Sequence, residues 1–518
     1  MTFHSRVERV VRAILRRSEL EARLEEARAA GAVPRLVGRM ALRARIEPTP
    51  EAVAAAAADG DGPLADRLAS LVRRARGREE AGLEAFAAAT AADHPALARA
   101  VRQVSAATTA PADERELRLD RATEIAIEGV RDRAATAAAS LRGPVTAVYA
   151  FGVLLPLALV GVLPAVTAAG VPRNLVLGVV VVGYDLFLPT TLAAAAAWLL
   201  ARRPVAFPRE PVPGTHPARP DRPWRALAVA LGSGAGAAAV VAFLSLIPGW
   251  AAPVAAFGVA GAGLAVHYRP AVLIRERTAA VEQELPDALV AIGREVAAGV
   301  AVERAMAAAP ESLGDPTAGI VADASDRGRR LGCGVEEAFL GTGGPVADLP
   351  SPRIRRAVAM LASAGHVGPP AGDLLVATGE HLGALRRVTE RTRQETARLT
   401  ATLANTAAVF GPLVGGTTVA LAAGTAGRAG GIGTAGRATR AGATPIGGAT
   451  GIGTSLPVAD LGLAVGAYVL LLAALLTALA TGLRYGPDRA RIGYRVGLAL
   501  PLAAVVFCLA LVVGEAVV

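Results

Sequence analysis

The sequence contains no lysine, because all 54 of its basic residues are arginines. A Walker A phosphate loop, a Schiff-base lysine and the strand lysine of protein kinases all require the ammonium group of that side chain. We therefore expect a protein that is not an enzyme and does not itself hydrolyse ATP by these routes. The energy for any mechanical work would come from a partner.

Cysteine, histidine and aromatic residues are also scarce. The two cysteines, Cys333 and Cys508, are too few and too far apart for a disulfide framework or a thiolate metal site. The six histidines lack the paired helical spacing of metal ligands, and we interpret His366 and His381 as satisfied or solvent-facing side chains. No cofactor or metal is expected. Aromatic residues make up only 4% of the chain, which argues against nucleic-acid binding.

Long apolar runs dominate the rest of the chain. Hydrophobic residues make up 53% of it, charged residues only 19%, and the mean hydropathy is +0.44. Residues 1–143 contain no run long enough to cross a bilayer, and Met1 to Val10 is too charged for a signal peptide. Seven later runs approach the roughly 20 residues that a hydrocarbon core of about 30 Å requires. The predicted spans are 145–168, 175–200, 226–247, 251–268, 401–423, 458–482 and 496–514.

Arginines are concentrated in alternate links between the spans. Those beside spans two, three, six and seven are Arg202, Arg203, Arg209, Arg219, Arg222, Arg225, Arg484, Arg489, Arg491 and Arg495. Because cytoplasmic links are enriched in basic residues, this pattern predicts a multi-pass protein of the cell (inner or cytoplasmic) membrane. The amino terminus is expected in the cytoplasm and the carboxyl terminus outside. The basic excess then reflects topology rather than a phosphate-binding surface.

Two links are predicted to lack a packed core. The link 201–225 contains seven prolines and is expected to form an extended, semi-rigid strap along the inner membrane face. The loop 424–457 consists mainly of Gly, Ala and Thr, and we expect a flexible external segment. It is either a mobile insertion or a contact for exported subunits.

The segment 269–400 has the apolar periodicity of helices, without an alternating strand pattern. One apolar face contains Leu285, Leu289, Ile292, Val296, Val300, Val302 and Met306. Pro286 suits the first turn of this helix, where Glu284 and Asp287 would place negative charge at the positive end of the helix dipole. The segment therefore predicts a compact helical bundle and an all-α fold.

Two further helix starts follow in this segment. Ser351 precedes a proline and predicts one start, and a long helix begins near Asp373 and continues into span five. A charged helix at 112–142 leads into span one in the same way. Span one contains Phe151-Gly152 and span five contains Phe410-Gly411, so we expect two units of one design.

These patterns predict a polytopic all-α membrane protein with about seven transmembrane helices and two cytoplasmic helical-bundle domains. The predicted domains are 1–143 (a degenerate first copy), 144–200 (spans one and two), 201–225 (link), 226–268 (spans three and four), 269–400 (second helical bundle) and 401–518 (spans five to seven with the loop 424–457).

The run Glu284-Leu285-Pro286-Asp287-Ala288-Leu289, followed by Ala298-Gly299, resembles the opening helix of the type II secretion system F domain. Gly372-Asp373, Leu382 and 385–387, followed by a charged helix that enters a Phe-Gly span, are similar to the second part of that domain. The resemblance covers about 280–425, and the two-copy form is most similar to archaeal platform proteins. It implies an inner-membrane platform protein of type II secretion, type IV pilus or archaellum assembly machinery.

The resemblance also implies partners for this chain. They are a hexameric cytoplasmic secretion ATPase, pilin or archaellin-like subunits, the lipid bilayer and a second copy in a homodimer or small homo-oligomer, with no nucleic acid. The candidate contact residues are Glu284, Leu285, Pro286, Asp287, Gly299, Arg386, Arg387, Arg391 and Arg393. Their structural interpretation is a helix start for the first group and a solvated helix face for the arginines.

Asp185 lies inside span two, where an acidic residue marks either a paired or wet structural site or a proton or coupling role. A polytopic transporter or permease is the main alternative function. It would require several polar residues that face one another near the middle of the membrane. A membrane-anchored sensor would need a phosphoacceptor histidine or a nucleotide-binding domain, and neither is evident.

Overall fold

The computed structural model describes residues 32–60, 62–75, 82–156, 159, 178, 181–201, 223–244, 247–438, 458–486 and 488–517. Every regular element within these ranges is helical, which confirms the all-α prediction. The helices belong to two compact units. The first unit contains the described residues of 1–139 and 273–394, and the second unit contains those of 140–203, 219–272 and 395–518.

The helices are numbered here in chain order. They are α1 (32–46), α2 (Pro50–Ala58), α3 (Pro63–Ala75), α4 (Gly82–Thr90), α5 (Pro95–Thr108), α6 (Ala112–Tyr149), α7 (Leu188–Ala201), α8 (Pro223–Leu244), α9 (Ala252–Ala260), α10 (Ala262–Ala297), α11 (Val302–Ala308), α12 (Thr317–Leu331), α13 (Val335–Leu340), α14 (Pro352–Val367), α15 (Pro369–Asn405), α16 (Gly411–Ala438), α17 (Val458–Tyr485) and α18 (Arg489–Val517). Three wider π-helical turns are π1 (Ala150–Leu154), π2 (Val181–Phe187) and π3 (Thr406–Phe410).

The first unit is a helical assembly with two apolar clusters. Large side chains such as Phe86 and Leu68 fill the cluster formed by the amino-terminal helices. The predicted apolar face of 285–306 lies in the other cluster, where Leu289 and Ile292 are almost fully buried. The apolar periodicity is therefore confirmed as a sign of the buried side. The prediction that these residues share one helix is wrong, because α10 ends at Ala297 and α11 begins at Val302, with Gly299 at φ +90° between them.

The structure confirms one of the two later helix starts that the sequence predicted and moves the other by a few residues. The Ser351 hydroxyl accepts a hydrogen bond from the Ile354 amide at 3.3 Å, which confirms the predicted start of α14. The following long helix, α15, begins at Pro369 rather than near Asp373, because the proline pair fits a first helical turn.

The prediction that Pro286 starts a helix is wrong. Pro286 lies inside α10, which begins at Ala262 and continues without a break. A proline inside a helix has no amide hydrogen for the preceding turn. The carbonyl that loses its donor is that of Glu282, and Arg386 of α15 donates to the carbonyl of the next residue, Gln283.

Six helical stretches of the described chain are long and apolar enough to cross a membrane. They are Val181–Leu200, Trp224–Phe243, Gly249–Ala297, Thr400–Gly424, Val458–Tyr485 and Arg489–Val517. These stretches coincide with predicted spans two to seven, as expected of a multi-pass membrane protein. Most of the predicted first span, 145–168, lies outside the described residues, although 145–156 is helical.

The predicted unstructured loop 424–457 is wrong for its first part. Helix α16 continues to Ala438, so 424–438 is helical. Residues 439–457 lie outside the described part of the chain, as does almost all of the link 201–225.

Close helix packing in the second unit depends on small residues. A Cβ atom at Gly416 would lie 2.6 Å from the Phe507 carbonyl oxygen of α18. A Cβ atom at Gly497 would lie 2.4 Å from the Ala265 amide nitrogen of α10. Without a hydrophobic driving force between helices in lipid, such close approach supplies much of the packing energy. On the outside, large apolar side chains such as Phe243 are exposed, as lipid-facing residues would be.

Candidate functional site

The two sequence segments that carry the resemblance pack against each other in the first unit. Gly293 of α10 lies beside Leu375 of α15, and Pro286 lies beside Gly379. The two helices are therefore antiparallel along this contact, which we call the α10–α15 seam. A Cβ atom at Gly379 would lie 2.7 Å from the Pro286 carbonyl oxygen, so the seam requires glycine there.

An ion pair joins the seam at its exposed side. The Arg386 guanidinium donates to the Asp287 carboxylate at 3.1 Å as well as to the Gln283 carbonyl. The side chains of Arg386 and Asp287 are 46% and 69% exposed. An exposed pair of this kind contributes little stability, about 0–1 kcal/mol. Its groups are positioned but remain accessible to a partner.

The other candidate residues divide into surface and structural positions. Arg387 and Arg391 are exposed on α15. Arg393 is half-buried, and its guanidinium lies 3.9 Å from the Glu390 carboxylate. Pro286 is buried in the seam and Leu285 packs partly against the apolar cluster, so their roles are packing.

Glu284 and Gly299 have structural explanations as well. One carboxylate oxygen of Glu284, Oε2, is buried without a hydrogen-bond partner. The other, Oε1, lies 2.7 Å from the position of a Cβ atom at Gly314, so the side chain turns toward that loop rather than outward. Gly299 ends α10 with φ +90°, a conformation that favours glycine.

His381 is a half-buried residue whose environment the sequence did not reveal. Its imidazole lies against α1, where a Cβ atom at Gly38 would be 2.8 Å from Nε2. Both ring nitrogens are buried, and neither makes a hydrogen bond of normal geometry. The interpretation of His381 as satisfied or solvent-facing is therefore wrong. The contact joins residues at opposite ends of the first unit's sequence, which periodicity cannot detect.

Charged groups surround this contact. Arg45, also on α1, binds Glu116 at 2.9 Å and Asp120 at 2.8 Å on α6. Burial lowers the pKa of His381 below its usual 6.5, the nearby Pro34 carbonyl opposes this shift, and the positive charge of Arg45 adds to it. Helix α1 thus packs against α15 at His381 and is paired with α6 through Arg45.

The stability of the first unit is expected to fall as the pH decreases below about 6.5, the usual histidine value. In that range the unfolded chain binds a proton at His381 that the folded chain resists, so protonation favours unfolding. His381→Gln should flatten the dependence of the unfolding midpoint on pH between 7 and about 5. Melting curves of both proteins test this, with His366→Gln as the control. An unchanged slope in His381→Gln would contradict the assignment.

A second polar cluster lies inside the apolar helices of the second unit. The Tyr468 hydroxyl donates to the Gly152 carbonyl at 2.8 Å, and the Tyr184 hydroxyl donates to the Pro156 carbonyl at 2.8 Å. The two tyrosine rings meet edge to face, with centroids 5.4 Å apart. The sequence analysis missed both tyrosines, because a lone tyrosine in an apolar helix carries no pattern.

Asp185 follows Tyr184 in π2. Its Oδ1 atom is buried and has no hydrogen-bond partner. Direct pairing of that oxygen within the bundle, one of the roles predicted from the sequence, is therefore not observed in the described residues. An unpaired carboxylate oxygen inside a membrane helix is expensive, which keeps Asp185 a functional candidate.

The local geometry of the two predicted halves is similar. Helix α6 has 38 residues and leads into π1, while α15 has 37 residues and leads into π3. Each of these π-helical turns has five residues and lies at the Phe-Gly pair, Phe151-Gly152 or Phe410-Gly411. π-Helical turns occur frequently at functional sites, so this common feature extends the parallel that the sequence indicated.

Within the described ranges, no group of three or more His, Cys, Asp or Glu residues is arranged to hold a metal ion. Comparisons with protein-family models, with curated proteins and with solved structures found no match to this chain.

Proposed function

We propose that this chain is the membrane platform protein of a type II secretion or type IV pilus-like machine, of the kind that assembles archaeal pili or the archaellum. It would couple a cytoplasmic secretion ATPase to the assembly and export of pilin-like subunits, without enzymatic activity of its own. The observation that carries this proposal is the α10–α15 seam. The segments that resemble the F domain pack there and hold Asp287 and Arg386 at the surface.

Continuous helices support a mechanical role. The helices α6, α10 and α15 each contain residues of both units, with no loop at the boundary. A helix transmits rotation or translation along its axis better than a flexible linker does. In this proposal the π-helical turns π1 and π3 absorb part of that movement, since the hydrogen bonding of an α-helix is interrupted there.

The arginine distribution supports the orientation that goes with this function. The first unit and the amino terminus would lie in the cytoplasm, and the carboxyl terminus outside the inner membrane. The exposed side chains of Asp287, Arg386, Arg387 and Arg391 would then be available to the ATPase. A homodimer or other small symmetric assembly would suit a partner that is a ring.

The alternative is a polytopic transporter or permease. The observation that favours it is the half-buried Asp185 beside the tyrosine pair, since ionisable residues in membranes often mark substrate or ion pathways. A transport site also needs several convergent polar groups. Among the described residues, this cluster contains one acidic residue, Asp185. We therefore favour the platform.

The proposal is tested by crosslinking and affinity purification of the tagged protein from native membranes, followed by mass spectrometry. Arg386→Glu/Arg387→Glu/Arg391→Glu reverses three exposed charges beside the seam. Arg329→Glu/Arg330→Glu/Arg355→Glu reverses three exposed charges elsewhere in the first unit and serves as the matched control.

We expect the wild type and the control variant to recover a hexameric secretion ATPase. The seam variant should lose roughly 90% or more of it, because like charges across an interface cost several kcal/mol. Equal recovery with all three proteins would place the ATPase contact elsewhere. If no ATPase is enriched with any of them, the platform function is wrong and transport becomes the better proposal.

A further inference from the structure

The turn between α17 and α18 carries an unusual concentration of arginines. Residues 461–483 and 496–514 on either side contain no charged side chain, so the turn must lie where these two spans leave the membrane. Between them, 484–495 contains four arginines and one aspartate. The net charge of this short segment is therefore +3, from four positive charges and one negative charge.

Two of the arginines are held on a single aromatic ring. The guanidinium of Arg484 lies 5.1 Å from the centroid of the Tyr485 ring, and that of Arg491 lies 4.7 Å from it. Stacking of this kind fixes a guanidinium through its face, so its N–H groups still point outward in the plane. The Tyr485 ring therefore holds both guanidinium groups at this turn.

Asp488, the only acidic residue in the sequence 484–495, is largely buried. Asp488 accepts hydrogen bonds from the amides of Ala490 and Arg491, at 3.0 and 3.3 Å, and so caps α18. Its carboxylate also lies 3.9 Å from Arg491, and the two side chains are only 14% and 11% exposed. The exposed side chains that remain, Arg484, Arg489 and Arg495, are all cationic.

Aromatic residues surround the same place. The ring of Tyr268, near the membrane end of α10, packs on Gly493, where a Cβ atom would lie 2.2 Å from the ring. Tyr485 and Tyr494 are half-buried. Tyrosines are enriched at the depth of the lipid headgroups, which is also the depth of the lipid phosphates.

We propose that this turn, defined by the exposed Arg484, Arg489 and Arg495 and by Tyr485, is a binding site for the phosphate of an anionic phospholipid. Arginine recognises phosphate through paired N–H groups, and basic sites between transmembrane helices bind acidic headgroups. An acidic protein segment would have to reach the membrane surface itself, whereas lipid phosphates are already there. The site does not depend on the proposed coupling to an ATPase.

Native mass spectrometry of the delipidated full chain, with equal amounts of phosphatidylglycerol and phosphatidylcholine, tests the site. We expect the wild type to bind the anionic lipid in preference by about fivefold or more, the effect of a single arginine near an anionic surface. Arg484→Gln/Arg489→Gln/Arg495→Gln should abolish the preference. Tyr485→Leu keeps the charge but removes the stacking surface, and should reduce the preference severalfold.

Arg329→Gln/Arg330→Gln/Arg355→Gln is the control, since it removes the same charge from the first unit. If this control loses the preference for phosphatidylglycerol equally, the preference depends on net charge alone, and the proposed site is wrong. Persistence of the preference in the turn variant would overturn it as well. Competition with inorganic phosphate distinguishes a site for a lipid headgroup from a site for free phosphate. Full displacement of phosphatidylglycerol would indicate a site for the free ion. Matching melting curves establish that the variants are folded.

Discussion

Replacing Gly372 by alanine is expected to destabilise the first unit by roughly 1–3 kcal/mol or more, the cost of inserting atoms into a packed interior. A Cβ atom at Gly372 would lie 2.2 Å from the Ala297 amide nitrogen and 2.7 Å from its Cα. These are backbone atoms of α10, so no side-chain rotation relieves the contact. The α10–α15 seam would have to open instead.

Gly319→Ala provides the matched control. Gly319 is exposed on α12, and a Cβ atom there would have nothing within 4 Å. Alanine in an open helical position is favoured over glycine by about 0.5–1 kcal/mol, so this variant should be as stable as the wild type or slightly more stable. The two substitutions are chemically identical, and only their surroundings differ.

Amide hydrogen exchange of the full chain, read by mass spectrometry, measures the effect locally. Peptides from α10 and α15 should lose protection in Gly372→Ala and keep it in Gly319→Ala. The same variant should recover less ATPase in the purification described above, because the positions of Asp287 and Arg386 depend on the seam. Wild-type protection in Gly372→Ala would mean that the two helices do not pack this closely.

The parts of the fold that the sequence predicted are those that depend on local patterns. The apolar face with Leu289 and Ile292 repeats at the helical period because one side of the helix is buried. Ser351 was recognisable as a cap because its hydroxyl acts within its own turn. Long apolar runs likewise predicted the six helical stretches that are long and apolar enough to cross a membrane.

The parts that the sequence did not predict depend on contacts between distant segments. Gly38 meets His381, and Tyr468 meets Gly152, across hundreds of residues. Pro286 was misassigned for a related reason. Its neighbours in the α10–α15 seam, Gly379 and Arg386, lie far away in the sequence, so no local signal shows that α10 continues through the proline. In the candidate site, the resemblance to the F domain suggested the residues, but only packing distinguished exposed Asp287 from inward Glu284.

Replacing Tyr468 should separate hydrogen bonding from packing inside the second unit. Tyr468→Ala removes a fully buried ring and is expected to cost about 3–5 kcal/mol, as large aromatic truncations do. Tyr468→Phe keeps the ring against Tyr184 but removes the donor to the Gly152 carbonyl in π1. Hydrogen bonds between membrane helices contribute roughly 1 kcal/mol, so a smaller loss is expected.

Unfolding of the purified protein by a denaturing detergent measures both losses. Tyr494→Phe is the control, since Tyr494 is half-buried and its hydroxyl makes no hydrogen bond in the described structure. If Tyr468→Phe and Tyr494→Phe are equally stable, the Tyr468 hydroxyl does not hold π1.

The expected effect of Tyr468→Phe on function differs from that of the seam variants. Because Tyr468 belongs to the second unit and the candidate ATPase contact to the first, the proposed function predicts that Tyr468→Phe leaves ATPase recovery unchanged while filament assembly decreases. A parallel loss of both would indicate that π1 supports the fold rather than the transmission of movement.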